Sequence, residues 1–114
     1  MLLKRIRFFY KKDFNEICIN NLNTVIMIHV EKPAEEKLLE LGVKSWPVWT
    51  KEISEFQWEY DEKETCYILE GKVVVTPENG KPVSFGKGDL VIFQSGLKCT
   101  WKINSPVRKH YKFG

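Results

Sequence analysis

From Val25 onward, short apolar runs alternate with polar turns along the chain. Residues 25–30 form a β-branched run that predicts a first strand. Residues 33–42 predict a short helix, because Pro33 suits the first helical position, glutamates follow it and Gly42 suits the C-terminal stop. No helical period follows Gly42. Strand-like runs follow instead, at residues 47–51, 55–60, 65–69, 72–76, 83–85, 90–93, 99–103 and 107–113.

Turn residues separate these runs. Asn79-Gly80 is the pair that a tight two-residue hairpin prefers, since both central residues of that turn take positive φ. Glycines at positions 86, 88 and 96 mark the next two turns. About eight strands at this spacing are typical of a sandwich or a small barrel. We therefore predict an all-β domain over residues 25–114, with one short helix near its start.

Residues 1–24 differ from the rest of the chain. Five apolar side chains fall on one side of a helical projection: Leu2, Leu3, Ile6, Phe9 and Tyr10. Five basic side chains fall on the opposite side: Lys4, Arg5, Arg7, Lys11 and Lys12. Such a basic amphipathic pattern is typical of an organelle presequence or a membrane-surface helix. The alternative is a poorly ordered extension, read from a start codon upstream of Met27. Both interpretations remain open.

The charge balance excludes one class of partner. The 114 residues carry 18 − 15 = +3, and residues 1–24 account for all of it with 5 − 2 = +3. Residues 25–114 balance at 13 − 13 = 0. A domain without excess positive charge lacks the counterion-release contribution that holds nucleic acid. We therefore expect no nucleic-acid partner.

Other features of the sequence bear on its location. The longest apolar run, residues 25–28, is far shorter than the roughly 20 residues that span a bilayer. The sequence has an odd number of cysteines, Cys18, Cys66 and Cys99, and shows no secretory signal. These features indicate free thiols in a reducing compartment. We expect a cytoplasmic protein, unless residues 1–24 direct it to an organelle.

Several catalytic motifs are absent from the sequence: the Gly-rich phosphate loop, C-x-x-C, H-E-x-x-H and G-x-S-x-G. His29 and His110 are the only histidines. A metal site that uses several histidines therefore cannot form within one chain.

The segment 58–71 contains a carboxylate and a glycine separated by six residues, Glu64 and Gly71. This spacing resembles the first motif of the cupin superfamily, which ends E-x6-G. Trp58 and Tyr60 stand where that motif has its H-x-H pair, and the opening glycine of the motif is missing.

The segment 88–103 resembles the second cupin motif, G-x5-P-x-G-x2-H-x3-N. Gly88 and Gly96 match its two glycines. Gln94, Cys99 and Ile103 replace its Pro, His and Asn.

Further stretches are similar to one branch, the small single-domain cupins grouped with the cupin domains of ureidoglycine aminohydrolase and the ethanolamine-utilisation protein. These stretches are residues 32–33, 42–49, 64–67, 99–101 and 106–111. The resemblance covers residues 25–114. It implies a jelly-roll β-barrel with an open mouth and an internal pocket, and it implies a homodimer.

The departures from the two motifs affect the ability of the site to bind a metal ion. Cupins that work through a metal hold it with two His, the Glu and a third His. Carried over by position, these residues are Trp58, Tyr60, Glu64 and Cys99. An indole offers no donor and a neutral phenol is a poor ligand, so fewer good donors remain than the three protein ligands of a catalytic zinc. We therefore expect no cofactor, with metal analysis of the purified protein as the check.

The same substitutions suit a small, polar, nitrogen-bearing ligand. Strand alternation in the cupin register predicts that six side chains line one cavity: Trp58, Tyr60, Glu64, Cys66, Cys99 and Trp101. Aromatic rings with one carboxylate favour an amine or amide, through cation–π contact and a charge-assisted hydrogen bond. An aromatic pocket also raises the pKa of a carboxyl group, which makes Glu64 a candidate acid–base catalyst with Cys99 assisting.

A structural interpretation stands beside each of these roles. Trp101 and Cys66 are residue types that pack well in a core. A buried Glu64 is costly unless it is paired, and Lys109 or Arg108 is its candidate partner.

Trp46 and Trp49 are expected to cover the barrel end or a subunit contact. Two function classes remain open for the whole chain. One is an enzyme that uses Glu64, and the other is a non-catalytic ligand-binding or structural cupin.

Overall fold

The structure, a computed structural model, describes residues 26–114. The expectations for residues 1–24 and for Cys18 lie outside the described residues. The elements in chain order are β1 (Ile28–Glu31), α1 (Glu35–Leu41), a 3-10 turn (Val43–Ser45), β2 (Val48–Lys51), β3 (Ser54–Glu59), β4 (Glu64–Pro77), β5 (Val83–Gly86), β6 (Leu90–Phe93) and β7 (Lys98–Phe113). The prediction of an all-β fold with one short helix is confirmed.

Helix α1 is close to its predicted position. Ala34 is the N-cap residue with extended backbone, so Pro33 precedes the cap and does not open the helix as predicted. Gly42 ends the helix at φ 68°, and its N–H points to the carbonyl oxygens of Leu38 and Leu39. This left-handed conformation costs glycine little, which explains why the predicted stop is correct.

Strands β4 and β7 are longer than the sequence pattern predicted. Each joins two of the predicted runs, 65–69 with 72–76 in β4 and 99–103 with 107–113 in β7. The breaks in the pattern are register shifts between Ile68 and Val73 of β4, where the ladder continues through a bend. An irregularity within a strand and a turn between two strands interrupt the alternation in the same way.

The two long strands pair with each other and exchange outer neighbours at the bend. Glu64–Tyr67 pairs with β6, whereas Lys72–Val75 pairs with β5. Val107–His110 pairs with β2, whereas Lys98–Ile103 pairs with β3. The result is two sheet halves, β1-β6-β4-β7-β2 and β5-β4-β7-β3, arranged as a jelly roll.

Gly71 lies at the bend of β4, with φ at 120°. A Cβ atom at this position would lie 2.6 Å from Val107 Cγ2 and 2.8 Å from the carbonyl oxygen of Pro106. The close approach of β7 therefore requires glycine here, at the position where the cupin motif also has one.

The β4–β5 connection differs from the predicted tight turn. Gly80 donates its N–H to the carbonyl oxygen of Pro77 over 3.2 Å, so it is the fourth residue of a turn. Glu78 and Asn79 are the central residues, and Gly80 does not adopt positive φ. A longer loop, residues 78–82, connects the strands. The prediction of a two-residue hairpin with positive φ at both positions is wrong for this reason.

The interior lies between the sheet halves and is filled from alternate positions of the long strands. On β7, Cys99, Trp101 and Ile103 are buried while Lys98 and Lys102 are exposed. Among the described residues, no helix is both long enough and apolar enough to cross a membrane.

Candidate functional site

The centre of the barrel is packed with aromatic rings. Trp101, 2% exposed, stacks on Phe56 at 6.0 Å and meets Phe85 edge-on at 5.7 Å between ring centroids. Its indole N–H donates to the hydroxyl of Tyr60 over 3.1 Å. Tyr60 in turn stacks on Phe93, with ring centroids 4.8 Å apart. These contacts make Trp101 and Tyr60 members of the hydrophobic core.

Glu64 is buried, and it forms an ion pair. Lys109 Nζ lies 2.7 Å from Glu64 Oε2, and the two side chains are 6% and 4% exposed. The Lys109 ammonium also lies 4.8 Å from the ring centroid of Trp49 and 4.7 Å from that of Trp101. The structural alternative for Glu64, a pair with Lys109, is therefore present. Arg108 pairs with Glu70 at the surface instead.

The two cysteines of the described chain are buried free thiols. Burial raises the pKa of the Cys66 thiol to about 12. It raises the pKa of the Cys99 thiol to about 11, and Cys99 Sγ donates to the carbonyl oxygen of Trp58 over 3.7 Å. Both groups are thiols near neutral pH, whereas a cysteine nucleophile acts as the thiolate.

Glu64 and Cys99 both belong to the interior, but each is bonded to a different partner. Burial, with the nearby Glu64 charge adding to it, also raises the pKa of the Tyr60 phenol well above its ordinary range. Four of the predicted cavity residues lie together in the core cluster: Tyr60, Cys66, Cys99 and Trp101. Tyr60 and Trp101 are hydrogen-bonded to each other, and all four belong to one packed cluster where the resemblance implied a pocket.

Trp58 is the exception among the predicted residues. It lies opposite Cys99 in the β3–β7 ladder and meets Tyr60 edge-on at 6.4 Å, so it shares the inner face of β3 with these residues. It is nevertheless 49% exposed, at the last but one position of β3. Of the four predicted ligand-binding residues, Trp58 is therefore the one whose side chain is broadly accessible to solvent.

A surface groove of about 330 Å³ lies beside Trp58. We call it the mouth groove; its lining residues are Gln57, Trp58, Glu59, Glu78, Lys98, Cys99 and Thr100. Two carboxylates and one ammonium give this lining a formal charge of 1 − 2 = −1. The carboxylates come from the end of β3 and from the loop after β4, and Glu78 is held there by its N–H bond to the carbonyl oxygen of Lys98 at 2.8 Å.

A second depression of about 560 Å³ lies on the other side of Glu78 and Lys98. Its lining adds the start of β1, the β4–β5 loop, the end of β4 at Pro77 and Leu97 before β7. It has no aromatic side chain and no second carboxylate in its lining. The mouth groove is therefore the better match to the predicted ligand chemistry.

The residues at the cupin metal positions do not fit a metal. Trp58 has no donor atom, and the raised pKa of Tyr60 keeps its phenol protonated. The Cys99 thiol is also protonated near neutral pH, and the remaining donor, Glu64, is bonded to an ammonium. Within residues 26–114, no three His, Cys, Asp or Glu side chains are grouped so that they could hold a metal ion.

Sequence reasoning named Lys109 only as a possible partner and did not place Trp49 against the core. Trp49 is partly buried and packs against the core, with its ring 6.1 Å from that of Trp101. Lys109 is two residues after the apolar Val107, so strand alternation gives an inward direction for its side chain. Trp49 and Lys109 are paired between β2 and β7, which places the indole beside the ammonium. This contact could be recognised only from the register of the two strands. The carboxylates of the mouth groove, Glu59 and Glu78, had no signal in the sequence, because they are brought together by two separate connections.

Comparison with known proteins gives a consistent family. The family model described as "EutQ-like cupin domain" matches residues 38–111. A crystal structure of a DUF861 family protein from Thermotoga maritima is 60% identical, with 76% of this chain and 99% of that chain covered and a TM-score of 0.75. A DUF861 family protein from Pseudomonas syringae is 31% identical over 59% of this chain and 29% of that chain, with a TM-score of 0.54.

More distant structures share the fold alone. The Clostridium difficile EutQ protein is 18% identical, covers 79% of this chain and 96% of that chain, and has a TM-score of 0.51. No protein among the curated sequences matches the chain.

Proposed function

Because the chain belongs to the EutQ-like cupin domain family, we propose that it is a non-catalytic cupin that binds a small nitrogen-bearing molecule in the mouth groove. The observation that carries the proposal is Trp58, an indole on the inner face of β3 that is 49% exposed. A ligand that stacks on this ring contacts an apolar surface already positioned by the β3–β7 ladder.

The charge of the groove favours a cation or an amide. Glu59 and Glu78 give the lining of the groove two carboxylates against the single ammonium of Lys98. A cation over the face of Trp gains about 0.5–1 kcal/mol at an exposed site and more when it is desolvated. A carboxylate within hydrogen-bond reach of the same cation adds a charge-assisted bond.

The interior supports binding over acid–base catalysis by Glu64. A general acid or base must come within hydrogen-bond reach of the proton that it transfers. Glu64 is 3% exposed, and Lys109 Nζ occupies one of its carboxylate oxygens. The ring of Trp101, 2% exposed, lies on the same ammonium and contributes to the packed interior around the pair.

The test is titration with small probes that differ in charge. Tetramethylammonium is compared with tert-butanol, and ethanolamine with ethylene glycol, by quenching of Trp fluorescence and by thermal shift. We expect the cations to bind and stabilise the protein, and the neutral molecules to bind much more weakly. Equal responses to a cation and its neutral counterpart contradict the proposed ligand class.

Matched variants locate the binding. Trp58→Leu removes the indole, while Phe113→Leu changes an aromatic residue of similar exposure (46%) outside the groove. Glu59→Gln removes a groove carboxylate, while Glu55→Gln removes an exposed one on the same strand outside it. We expect cation binding to be lost in W58L and weakened in E59Q, with both controls unchanged. Full binding by W58L contradicts the mouth groove as the site.

We also propose that the protein is a homodimer. Strand β2 ends the hydrogen-bonded order of its sheet half and so presents a strand edge. Val48 on β2 and Ile53 just after it are both exposed apolar residues. A two-fold dimer with a self-complementary contact is the commonest homo-oligomer. Light scattering is expected to give a dimer mass that falls to a monomer in Val48→Lys, and a monomeric wild type contradicts the proposal.

A further inference from the structure

The buried Lys109 ammonium has the surroundings of a bound cation. A carboxylate oxygen of Glu64 lies 2.7 Å from Nζ, and two indole rings, of Trp49 and Trp101, lie 4.8 and 4.7 Å away at their centroids. A carboxylate with aromatic faces is the arrangement that recognises an alkylammonium ion. Here the alkylammonium ion is attached to the chain.

This cation is bonded to the carboxylate that stands at a metal-ligand position in the metal-dependent cupins. Of the four residues at the metal-ligand positions, Glu64 is the one that keeps a family donor, and its carboxylate is bonded to Lys109. We infer that Lys109 is a resident cation that replaces the metal ion of metal-dependent cupins, held in a carboxylate and indole site built for a primary alkylammonium. This inference uses the interior residues and does not depend on the mouth groove.

The strand register shows how the site is assembled. Trp49 and Lys109 are direct neighbours across the β2–β7 ladder, and Glu64 lies on β4, on the other side of β7. Lys109 thus lies on the middle one of three adjacent strands. Its ammonium lies over the ring of Trp101, which belongs to the same strand. An ordinary core position would hold an apolar side chain, because burying an ion pair is often less favourable than burying apolar residues of similar size.

Lys109→Ala tests the cation site directly. The substitution removes three methylene groups and the ammonium, so n-propylammonium has the size of the missing part. The melting temperature of K109A is expected to be lower than that of the wild type and to rise by several degrees with n-propylammonium. The wild type, whose interior site is filled, is expected to respond to n-propylammonium only through the mouth groove, and therefore by less than K109A. A neutral probe of similar size, 1-propanol, is expected to have little effect on K109A.

The double variant Glu64→Gln/Lys109→Ala is the matched control for charge. Without the carboxylate, the preference for n-propylammonium over 1-propanol is expected to fall to the level that the mouth groove gives in the wild type. Equal rescue of K109A by both probes shows a simple apolar cavity and overturns the inference.

Two measurements on the wild type keep the inference testable if K109A fails to fold. The ring currents of two indoles are expected to shift the Lys109 Cε proton resonances upfield, and Trp49→Leu is expected to reduce this shift. Elemental analysis and titration with Zn²⁺ and Mn²⁺ are expected to show no stoichiometric interior metal. An unshifted Lys109 resonance, or a stoichiometric metal that is lost in Glu64→Gln, overturns the inference.

These results are distinguishable from failure of the proposed function. If the wild type fails to bind tetramethylammonium, the proposed function fails, and the Lys109 resonances still report on the interior separately. Conversely, the absence of n-propylammonium rescue in K109A leaves the tetramethylammonium titration of the wild type unaffected.

Discussion

The indole N–H of Trp101 donates a hydrogen bond to the hydroxyl oxygen of Tyr60 over 3.1 Å, inside the barrel. The bond joins β7 to the residue that follows β3, and both side chains are almost fully buried. A buried donor that loses its acceptor costs the desolvation free energy of the unpaired group, about 1–3 kcal/mol.

Tyr60→Phe tests that bond. We expect it to lower the free energy of unfolding by about 1–3 kcal/mol, because the Trp101 N–H is left without its acceptor while the ring packing on Phe93 is kept. Urea denaturation measures the change. Tyr67→Phe, at a partly exposed position, is the control and is expected to change stability by less than about 0.5 kcal/mol. A neutral Y60F would show that the bond adds nothing measurable.

The bend at Gly71 gives a second prediction. Gly71→Ala is expected to lower the free energy of unfolding by about 3 kcal/mol or more, because the new Cβ meets Val107 and Pro106 closer than 3 Å at a φ of 120°. Gly96→Ala has similar backbone strain at φ 89° but no atom within 4 Å of the new Cβ, so about 1–2 kcal/mol is expected. Chemical denaturation of both variants measures the difference, and equal losses contradict the steric argument.

The buried thiols predict a decline in stability at alkaline pH. The pKa of Cys99 is raised from 9.0 to about 11, so the folded thiol stays protonated where the unfolded one ionises. Its contribution to stability is present in full below pH 9 and is lost progressively as the pH rises towards 11. The Cys99→Ala variant is therefore expected to lose about 1 kcal/mol less than the wild type between pH 8 and pH 10.

Parallel denaturation curves at the two pH values measure this difference. Alkylation at pH 8 followed by peptide mapping provides an independent check, in which Cys66 and Cys99 react slowly in the folded protein and rapidly after denaturation. Fast labelling of Cys99 in the folded state would contradict a buried, protonated thiol.

Two surface ion pairs predict local changes in carboxyl pKa. The Arg108 guanidinium holds the pKa of Glu70 below its ordinary value, and Lys37 does the same for Glu31. Arg108→Gln is expected to raise the pKa of Glu70 and leave that of Glu31 unchanged, while Lys37→Gln has the opposite pattern. NMR titration of the side-chain carboxyl resonances measures both. The Glu70 contribution to stability is present above its unfolded pKa and lost as the pH falls through its lower folded value, and it is small because the pair is exposed.

Much of the architecture followed from local pattern. The αL stop at Gly42 and the strand of residues 90–93 depend on short-range chemistry, whereas the approach of β7 requires the glycine at position 71. The hairpin at Gly80 failed because turn type depends on loop length, which the preference of the Asn-Gly pair does not determine. The division of β4 and β7 into shorter strands failed because a bulge interrupts alternation as a turn does.

The sequence by itself determined the fold class, the family resemblance and the inward direction of Glu64, since each depends on spacing along one strand or one motif. Only the tertiary structure decided that Lys109 holds that carboxylate and that Trp49 lies beside the ammonium. It also decided that Trp58 stays open to solvent while Tyr60 and Trp101 pack together. The physical reason is that a charge becomes paired, and a ring becomes covered, through strands that are distant in sequence, and their register is set by the pairing of the whole sheet.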